Sequence, residues 1–191
     1  MNARRAAAWR LPALLMLAIG LLLPALAAAR SLPPAVETLA GPLRLAGEGE
    51  MRWFGLKLYD AALWVEPEVE PVAATRSAGH ALALRYARAI DAGRLVDTSI
   101  DEMRRIGGHD EASLARWRTQ LMQALPSVAA GDTLVGLHRP GRGASFWHEG
   151  RLTAHVADPA LARAFFAIWL DARTRAPALR ARLLGLDGAS R

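Results

Sequence analysis

A change in hydrophobic period along the chain is the feature that most constrains the fold. Apolar and polar residues alternate over residues 43–65 and 80–88, which is typical of strands with one covered face. After Asp91, a good N-cap residue, apolar residues recur every three or four positions as far as Ile106, and Gly107 supplies a stop. The sequence therefore predicts strands followed by a helix, with no repeated strand–helix–strand unit.

The second half of the chain repeats this order, and its turns are short. A second helix is predicted from Asp110 to Pro126, and the later elements are a strand over 133–139, a hairpin over 144–156, a helix from Asp158 to Leu170 and a short helix over 177–184. Residues 31–42 are predicted as an extended arm and 71–79 as a loop. Hairpin-length links favour antiparallel pairing. We therefore predict an α+β fold, a mainly antiparallel sheet with helices packed on one face, in one domain over residues 30–191.

The N-terminus has the layout of a secretory signal peptide. Basic residues precede an apolar run, Pro24 breaks that run, and small residues follow it. This predicts a signal peptide over residues 1–29, with cleavage after Ala27 or Ala29, and a periplasmic or secreted protein. The alternative is a retained anchor, because residues 11–29 are free of charge and just long enough to span a bilayer.

Composition excludes several classes of function. The chain has no cysteine, so disulfides, thiolate catalysis and cysteine-bound metals are excluded. Three of its 24 basic residues lie in residues 1–29, which leaves 21 against 18 acidic residues. The remaining arginines are scattered among acids and form no basic stripe, so we predict no nucleic-acid partner. The histidines have neither helical metal-ligand spacing nor a nearby carboxylate cluster, so we predict no metal and no cofactor; they are His80, His109, His138, His148 and His155.

Aromatic residues are the remaining candidates for a binding site. They either form a packed core or line an apolar cavity between the sheet and the helices; they are Trp53, Phe54, Trp64, Trp117, Phe146, Trp147, Phe165, Phe166 and Trp169. Polar residues among them are suited to hold a carboxylate or phenolate head group, namely Arg52, Lys57, Tyr59, Tyr86 and Arg88. Strand alternation predicts that Lys57 and Tyr59 share one face of their strand.

Residues 47–64, which read GEGEMRWFGLKLYDAALW, resemble the signature of the chalcone isomerase-like family. A Gly-x-Gly segment precedes a strand that reads Lys-aliphatic-Tyr-x-Ala-x-Leu-aromatic, and the later elements follow in the same order over about residues 40–185. The resemblance is greatest to the secreted bacterial branch. It implies an open-faced antiparallel β-sandwich with a layer of helices and a ligand cleft between them. It also implies one of two activities, chalcone cyclisation or fatty-acid binding.

The sequence departs from the pattern of the catalytic members of that family. Met51 stands where the family has its arginine, and Arg52 is one residue out of phase, which in a strand sends the side chain to the opposite face. Asp91 and Thr98 stand where the plant enzymes have tyrosine and asparagine. Ala162 replaces a late hydroxyl residue, and Arg94 stands where those enzymes have lysine. Without its cationic donor an oxyanion site loses much of its stabilisation, so we predict no catalytic residue and no chalcone cyclisation.

Three hypotheses about function follow. The first is a periplasmic, non-catalytic protein that binds a small amphipathic ligand such as a fatty acid, with Arg52, Lys57, Tyr59 or Arg88 at the head group. The second is an isomerase or intramolecular lyase with a rewired site. The third is an envelope accessory protein that binds a protein partner.

Overall fold

The computed structural model describes residues 32–187. These residues form six strands and six helices in the order α1 (Pro34–Ala40), β1 (Arg44–Trp53), β2 (Leu56–Val65), α2 (Pro71–Ser77), β3 (His80–Tyr86), α3 (Ala92–Ile106), α4 (Glu111–Ala124), β4 (Thr133–Arg139), β5 (Gly143–His148), β6 (Arg151–Val156), α5 (Pro159–Leu170) and α6 (Pro177–Leu183). The strands lie in chain order in a single sheet, and every neighbouring pair is antiparallel. The predicted α+β fold is confirmed.

Two regions differ from the prediction. The expected arm contains α1 and the expected loop contains α2, each of seven residues. Both helices begin with a proline at the first helical position, where a missing N–H costs nothing. Two turns of helix are too short to show a clear hydrophobic period, which is why the pattern did not reveal them.

The described part of the chain has no helix long and apolar enough to cross a bilayer. The predicted signal peptide over residues 1–29 lies outside the described residues.

Aspartates cap the N-termini of three helices in the layer that covers the sheet. Asp91 accepts a hydrogen bond from Gly93 N at 2.8 Å, and Asp110 accepts one from Ser113 N at 2.8 Å. Asp158 accepts from two backbone amides at the start of α5 and also from the indole Nε1 of Trp117 at 2.9 Å. This last contact ties α4 to the start of α5, so one side chain caps a helix and fixes its position.

The two faces of the sheet are covered differently. Ala61, Leu63 and Val65 of β2 face the main core, which includes buried residues of α3, α4, α5 and α6. Trp64 packs in a smaller cluster on the opposite face, with Val36 of α1. The prediction that helices pack on one face was therefore wrong for α1, because the apolar outer face of the central strands also needs a cover.

A bulge interrupts the β1–β2 ribbon near its turn. Met51 pairs with Tyr59, but the next residue, Arg52, pairs with Lys57, so Leu58 has no partner across the ribbon. An extra residue in one strand reverses the alternation of side chains beyond it. Lys57 therefore lies beside Asp60, with Nζ 2.7 Å from the carboxylate Oδ1, and the prediction that it shares a face with Tyr59 was wrong.

Candidate functional site

A cavity of about 720 Å³ lies between the sheet and the helical layer. Its walls come from β1 to β5, from α3 and α5, and from the segment after α5. The deep part is apolar and includes Leu82, Leu84, Leu134, Phe146, Phe165 and Phe166. The volume is in the range of cavities that hold one small organic molecule. The aromatic residues were predicted either to pack in a core or to line a cavity, and the structure shows both. Trp53 and Trp169 also belong to the cavity lining.

A glycine in β4 shapes the floor of the cavity. A Cβ at Gly136 would lie 3.0 Å from Cζ of Phe166 and 3.5 Å from Cε1 of Phe146. The first distance is shorter than an ordinary van der Waals contact, so a side chain here would displace the Phe166 ring, whereas the Phe146 ring would be in normal contact. Gly136 therefore keeps the aromatic floor close to the sheet and leaves the volume above it open.

Two tyrosines form the polar part of the interior. The indole Nε1 of Trp169 donates a hydrogen bond to Tyr59 Oη at 3.0 Å, and the Tyr59 and Tyr86 rings meet edge to face with centroids 5.7 Å apart. Burial raises the pKa of Tyr59 to about 12 and raises the pKa of Tyr86 as well. Both phenols are therefore neutral at physiological pH and keep a proton to donate. Within residues 32–187, the Tyr86 hydroxyl has no hydrogen-bond partner.

Three arginines line the cavity near its rim. Arg175 contacts Glu102 through Nε at 3.0 Å, and Glu102 also receives a contact of 2.6 Å from Arg105. Arg88 and Arg94 are exposed and, in the described part of the chain, form neither an ion pair nor a hydrogen bond. They are the two cations of the rim that remain available to an anionic group.

The four residues predicted to hold a head group divide into two pairs. Tyr59 and Arg88 line the cavity. Arg52 and Lys57 do not. Arg52 lies on the face of β1 opposite Met51, where it meets Glu50 two residues away, and the bulge at Leu58 brings Lys57 to Asp60. Arg52 donates to Glu50 at 2.6 Å, which lowers the pKa of the Glu50 carboxyl, and Lys57 contacts Asp60.

Most of the positions at which the sequence departs from the catalytic pattern lie around the cavity. Met51, Asp91, Arg94 and Thr98 all line the cavity, whereas Ala162 is buried outside its lining. Met51 brings a thioether where the pattern has a cation. The sequence identifies Arg94 as a retained charge, but the predicted head-group residues do not include it. Its position in the first turn of α3, at the mouth of the cavity, follows from the Asp91 cap.

The histidines do not form one cluster. His80 and His138 are buried against each other with ring centroids 4.7 Å apart, while His148 contacts Asp132 at 2.8 Å and His155 contacts Ser145 at 3.0 Å. Among residues 32–187, no three histidine, aspartate or glutamate side chains are grouped closely enough to hold a metal ion.

A sheet with a cavity of this size under a helical layer defines an open-faced α+β protein with an internal cavity. A family model described as chalcone isomerase-like matches residues 27–185, and the chain therefore belongs to the chalcone isomerase-like family. The crystal structure of a fatty-acid binding protein from Arabidopsis thaliana has the same fold, with a TM-score of 0.55 and 13% sequence identity over 75% of this chain and 87% of that chain. A search of the curated proteins finds no match.

Proposed function

We propose that this protein binds one small amphipathic carboxylate, such as a fatty acid, in the cavity and catalyses no reaction on it. The observation that carries the proposal is the pairing of an apolar interior with two unpaired guanidinium groups at its rim, Arg88 and Arg94. Membership of the chalcone isomerase-like family and the shared fold with a plant fatty-acid binding protein support it.

The arrangement of polar groups suits a ligand with one charged end. An acyl chain would lie against Leu84, Phe146 and Phe165, where apolar surface is removed from water. Its carboxylate would meet Arg88 and Arg94 at the rim, since charge-assisted hydrogen bonds are the strong ones. In a ligand that also carries a hydroxyl or carbonyl group along its chain, Tyr59 and Tyr86 would donate to that group; an unsubstituted fatty acid has no such group and would pass beside the two rings.

The cavity gives less support to a catalytic role. Cyclisation of an enone needs a preorganised cationic donor at the developing oxyanion. The position expected to supply it is Met51, which lines the cavity without a charge. Retention of a ligand makes no such demand, so binding is the simpler use of these residues.

The proposed location is the periplasm or the outside of the cell. This part of the proposal rests on the signal-like layout of residues 1–29. Intact-mass measurement on protein recovered from the periplasmic, culture and membrane fractions tests it. We expect a chain that begins after residue 27 or 29; a full-length chain in the membrane fraction would contradict the proposed location and support the anchor alternative.

A comparison of ligands with and without a charge tests the role of the rim. Titration with a long-chain fatty acid and with the alcohol of equal length is carried out on wild type and on an Arg88→Ala, Arg94→Ala double variant. We expect the double variant to lose about tenfold in affinity for the acid and little for the alcohol. Arg142→Ala is the matched control, since Arg142 is an exposed arginine in the β4–β5 turn.

Two results would count against the proposal, and one further experiment refines it. If neither ligand binds to the wild type, the binding function is wrong. If both ligands lose affinity equally in the double variant, the arginines do not recognise a carboxylate. Alanine variants of Arg52 and Lys57 test the other two predicted head-group residues, and from their position outside the cavity we expect no change in affinity.

A further inference from the structure

The turn between β1 and β2 presents an unusual group of side chains to solvent. Trp53, Phe54 and Leu56 surround Gly55, and we call residues 53–56 the hairpin tip. Phe54 is 90% exposed, Leu56 58% and Trp53 48%. Single exposed apolar residues are common on protein surfaces, but three at one convex turn form a patch that is typical of an interaction site.

The backbone conformation at the hairpin tip is unfavourable for a phenylalanine at position 54. Phe54 has a φ of 48° and Gly55 a φ of 79°, so both central residues of the turn lie in the left-handed region. Asparagine, aspartate and glycine favour such turns, whereas a bulky residue there is unfavourable. Phe54 therefore does not fit the turn conformation well, and its ring meets that of Trp53 edge to face, with centroids 5.2 Å apart, while 90% of the residue stays exposed to solvent. A contact of this exposed ring with another molecule would account for a bulky residue at this position.

The hairpin tip is held in a defined shape. Arg52 donates from Nη1 to the carbonyl oxygen of Gly55 at 3.0 Å and from Nε to Glu50 at 2.6 Å. These bonds tie the guanidinium to both sides of the turn. The aromatic side chains are therefore presented in advance of any contact, which lowers the entropy lost on binding.

The hairpin tip adjoins the mouth of the cavity, and its neighbours there are cationic. Trp53 is both half-exposed and part of the cavity lining, to which the unpaired Arg88 and Arg94 also belong. Asp91 also lines this region, and its carboxylate keeps its negative charge because its partners, Gly93 N and the hydroxyl of Ser127, are neutral donors. The two unpaired guanidinium groups of Arg88 and Arg94 outnumber this one carboxylate, so the excess charge of these three groups is positive.

We propose that the hairpin tip inserts into the interface of a lipid bilayer that contains anionic head groups. Tryptophan and phenylalanine partition into the interfacial layer, and nearby arginines contact lipid phosphates. A convex turn of this kind enters a lipid interface, whereas a peptide ligand would need a groove. Insertion would bring the mouth of the cavity to the membrane surface. Uptake of a lipid from the membrane into the cavity rests on the proposed function, whereas insertion of the hairpin tip does not.

Single-cysteine labelling tests the insertion directly, because the chain has no native cysteine. The full chain carries an environment-sensitive fluorophore at Leu56→Cys in the hairpin tip or, as a matched control, at Leu45→Cys. Leu45 is an exposed leucine at the other end of the same strand ribbon. Each protein is mixed with phosphatidylcholine vesicles, with or without about one third phosphatidylglycerol. We expect a blue shift at position 56 with the anionic vesicles and none at position 45.

A second substitution separates insertion from general adsorption. Phe54→Asn in the Leu56→Cys background removes the aromatic ring and places a residue that tolerates the left-handed conformation, so we expect the fold to be kept. We expect the apparent affinity for anionic vesicles to fall about tenfold. Phe54→Gly provides a second test, because glycine adopts a positive φ without steric strain. No shift at position 56, equal shifts at both positions, or unchanged affinity in both Phe54 variants would overturn the proposal.

Two further measurements identify competing outcomes. Sedimentation velocity without vesicles would reveal a dimer that Phe54→Asn disrupts, which would assign the hairpin tip to a second copy of the chain and overturn membrane insertion. Fatty-acid titration without vesicles should give the same affinity for wild type and Phe54→Asn. Failure of that titration in both proteins would reject the proposed function and leave the vesicle result standing.

Discussion

The two ends of β3 bury polar rings in opposite ways. At one end, Tyr86 and its neighbour Tyr59 meet the open cavity, and their hydroxyl groups face space that a ligand can fill. At the other end, His80 and His138 pack on each other and on Phe166, with no space between the rings. The comparison teaches that burial alone does not make a binding site. A site also needs volume beside its polar atoms.

The closed end also leaves polar atoms without partners. His80 Nε2 and His138 Nδ1 are buried and, among the described residues, unpaired. Such atoms cost folding free energy. Phe166 packs on both histidine rings and lines the cavity, so it joins the closed end to the open one.

The largest effect is expected from removal of that shared ring. Phe166→Ala takes away the surface on which both histidines pack, and a large-to-small change in the core of this kind costs about 3–5 kcal/mol. Trp53→Ala at the half-exposed rim should cost much less. Urea unfolding of the two variants measures the difference. Equal losses would mean that the closed end contributes no more to stability than the rim.

A pH effect of somewhat smaller size should come from the histidine pair. Burial lowers the pKa of His80 to about 4, and burial together with Arg163 lowers the pKa of His138 to about 4. The unfolded chain takes up these protons near pH 6.5 and the folded chain only near pH 4, so stability is lost as the pH falls through this window. The loss is at most about 3 kcal/mol per histidine.

Substitution of one histidine checks the assignment. His138→Gln should show about half the wild-type loss of unfolding free energy between pH 6.5 and 4. This window lies above that of Asp171, whose pKa Arg173 lowers to about 2. An undiminished loss in the variant would show that other groups cause the acid sensitivity.

A third substitution should change the open end without touching a polar atom. Gly136→Val places methyl groups where the Phe166 ring now lies, 3.0 Å from the position of a Cβ. Overpacking of this kind costs about 1–3 kcal/mol, and the displaced ring should enter the cavity and weaken ligand binding. Gly136→Ala should have the same effect to a smaller degree. Undiminished ligand affinity in the valine variant would place the ligand elsewhere.

The smallest effects should distinguish the two tyrosines. Tyr59→Phe removes the acceptor of the Trp169 indole hydrogen bond and should cost about 1 kcal/mol. Tyr86→Phe should change stability by less than about 0.5 kcal/mol, because its hydroxyl has no partner in the described structure. If Tyr86 contacts the ligand, Tyr86→Phe should still lower affinity. Thermal unfolding and ligand titration of both variants measure these differences.

The sequence predicted the elements whose signals are local. Alternation located the strands, and Asp91, Asp110 and Asp158 marked helix starts that the structure confirms. The bulge at Leu58 could not be predicted, because it depends on how β1 and β2 pair rather than on either strand alone. That single extra residue is why simple alternation placed Lys57 on the wrong face.

The candidate site was predictable only in part for the same reason. Tyr59 and Arg88 were expected near a head group and do line the cavity. The hydrogen bond between Trp169 and Tyr59 joins residues that are far apart in the chain, so no local sequence pattern predicts it. Whether Arg94 finds a partner likewise depends on residues from other parts of the chain. Such polar contacts are determined by how the helices pack on the sheet.

Native mass spectrometry of the protein as purified, followed by solvent extraction and by addition of fatty acid, tests the central claim most directly. The account predicts one bound amphipathic molecule per chain, or uptake of one fatty acid by empty protein, and weaker uptake in Gly136→Val. A protein that is recovered empty and takes up no fatty acid would contradict it and would favour a role in binding a protein partner.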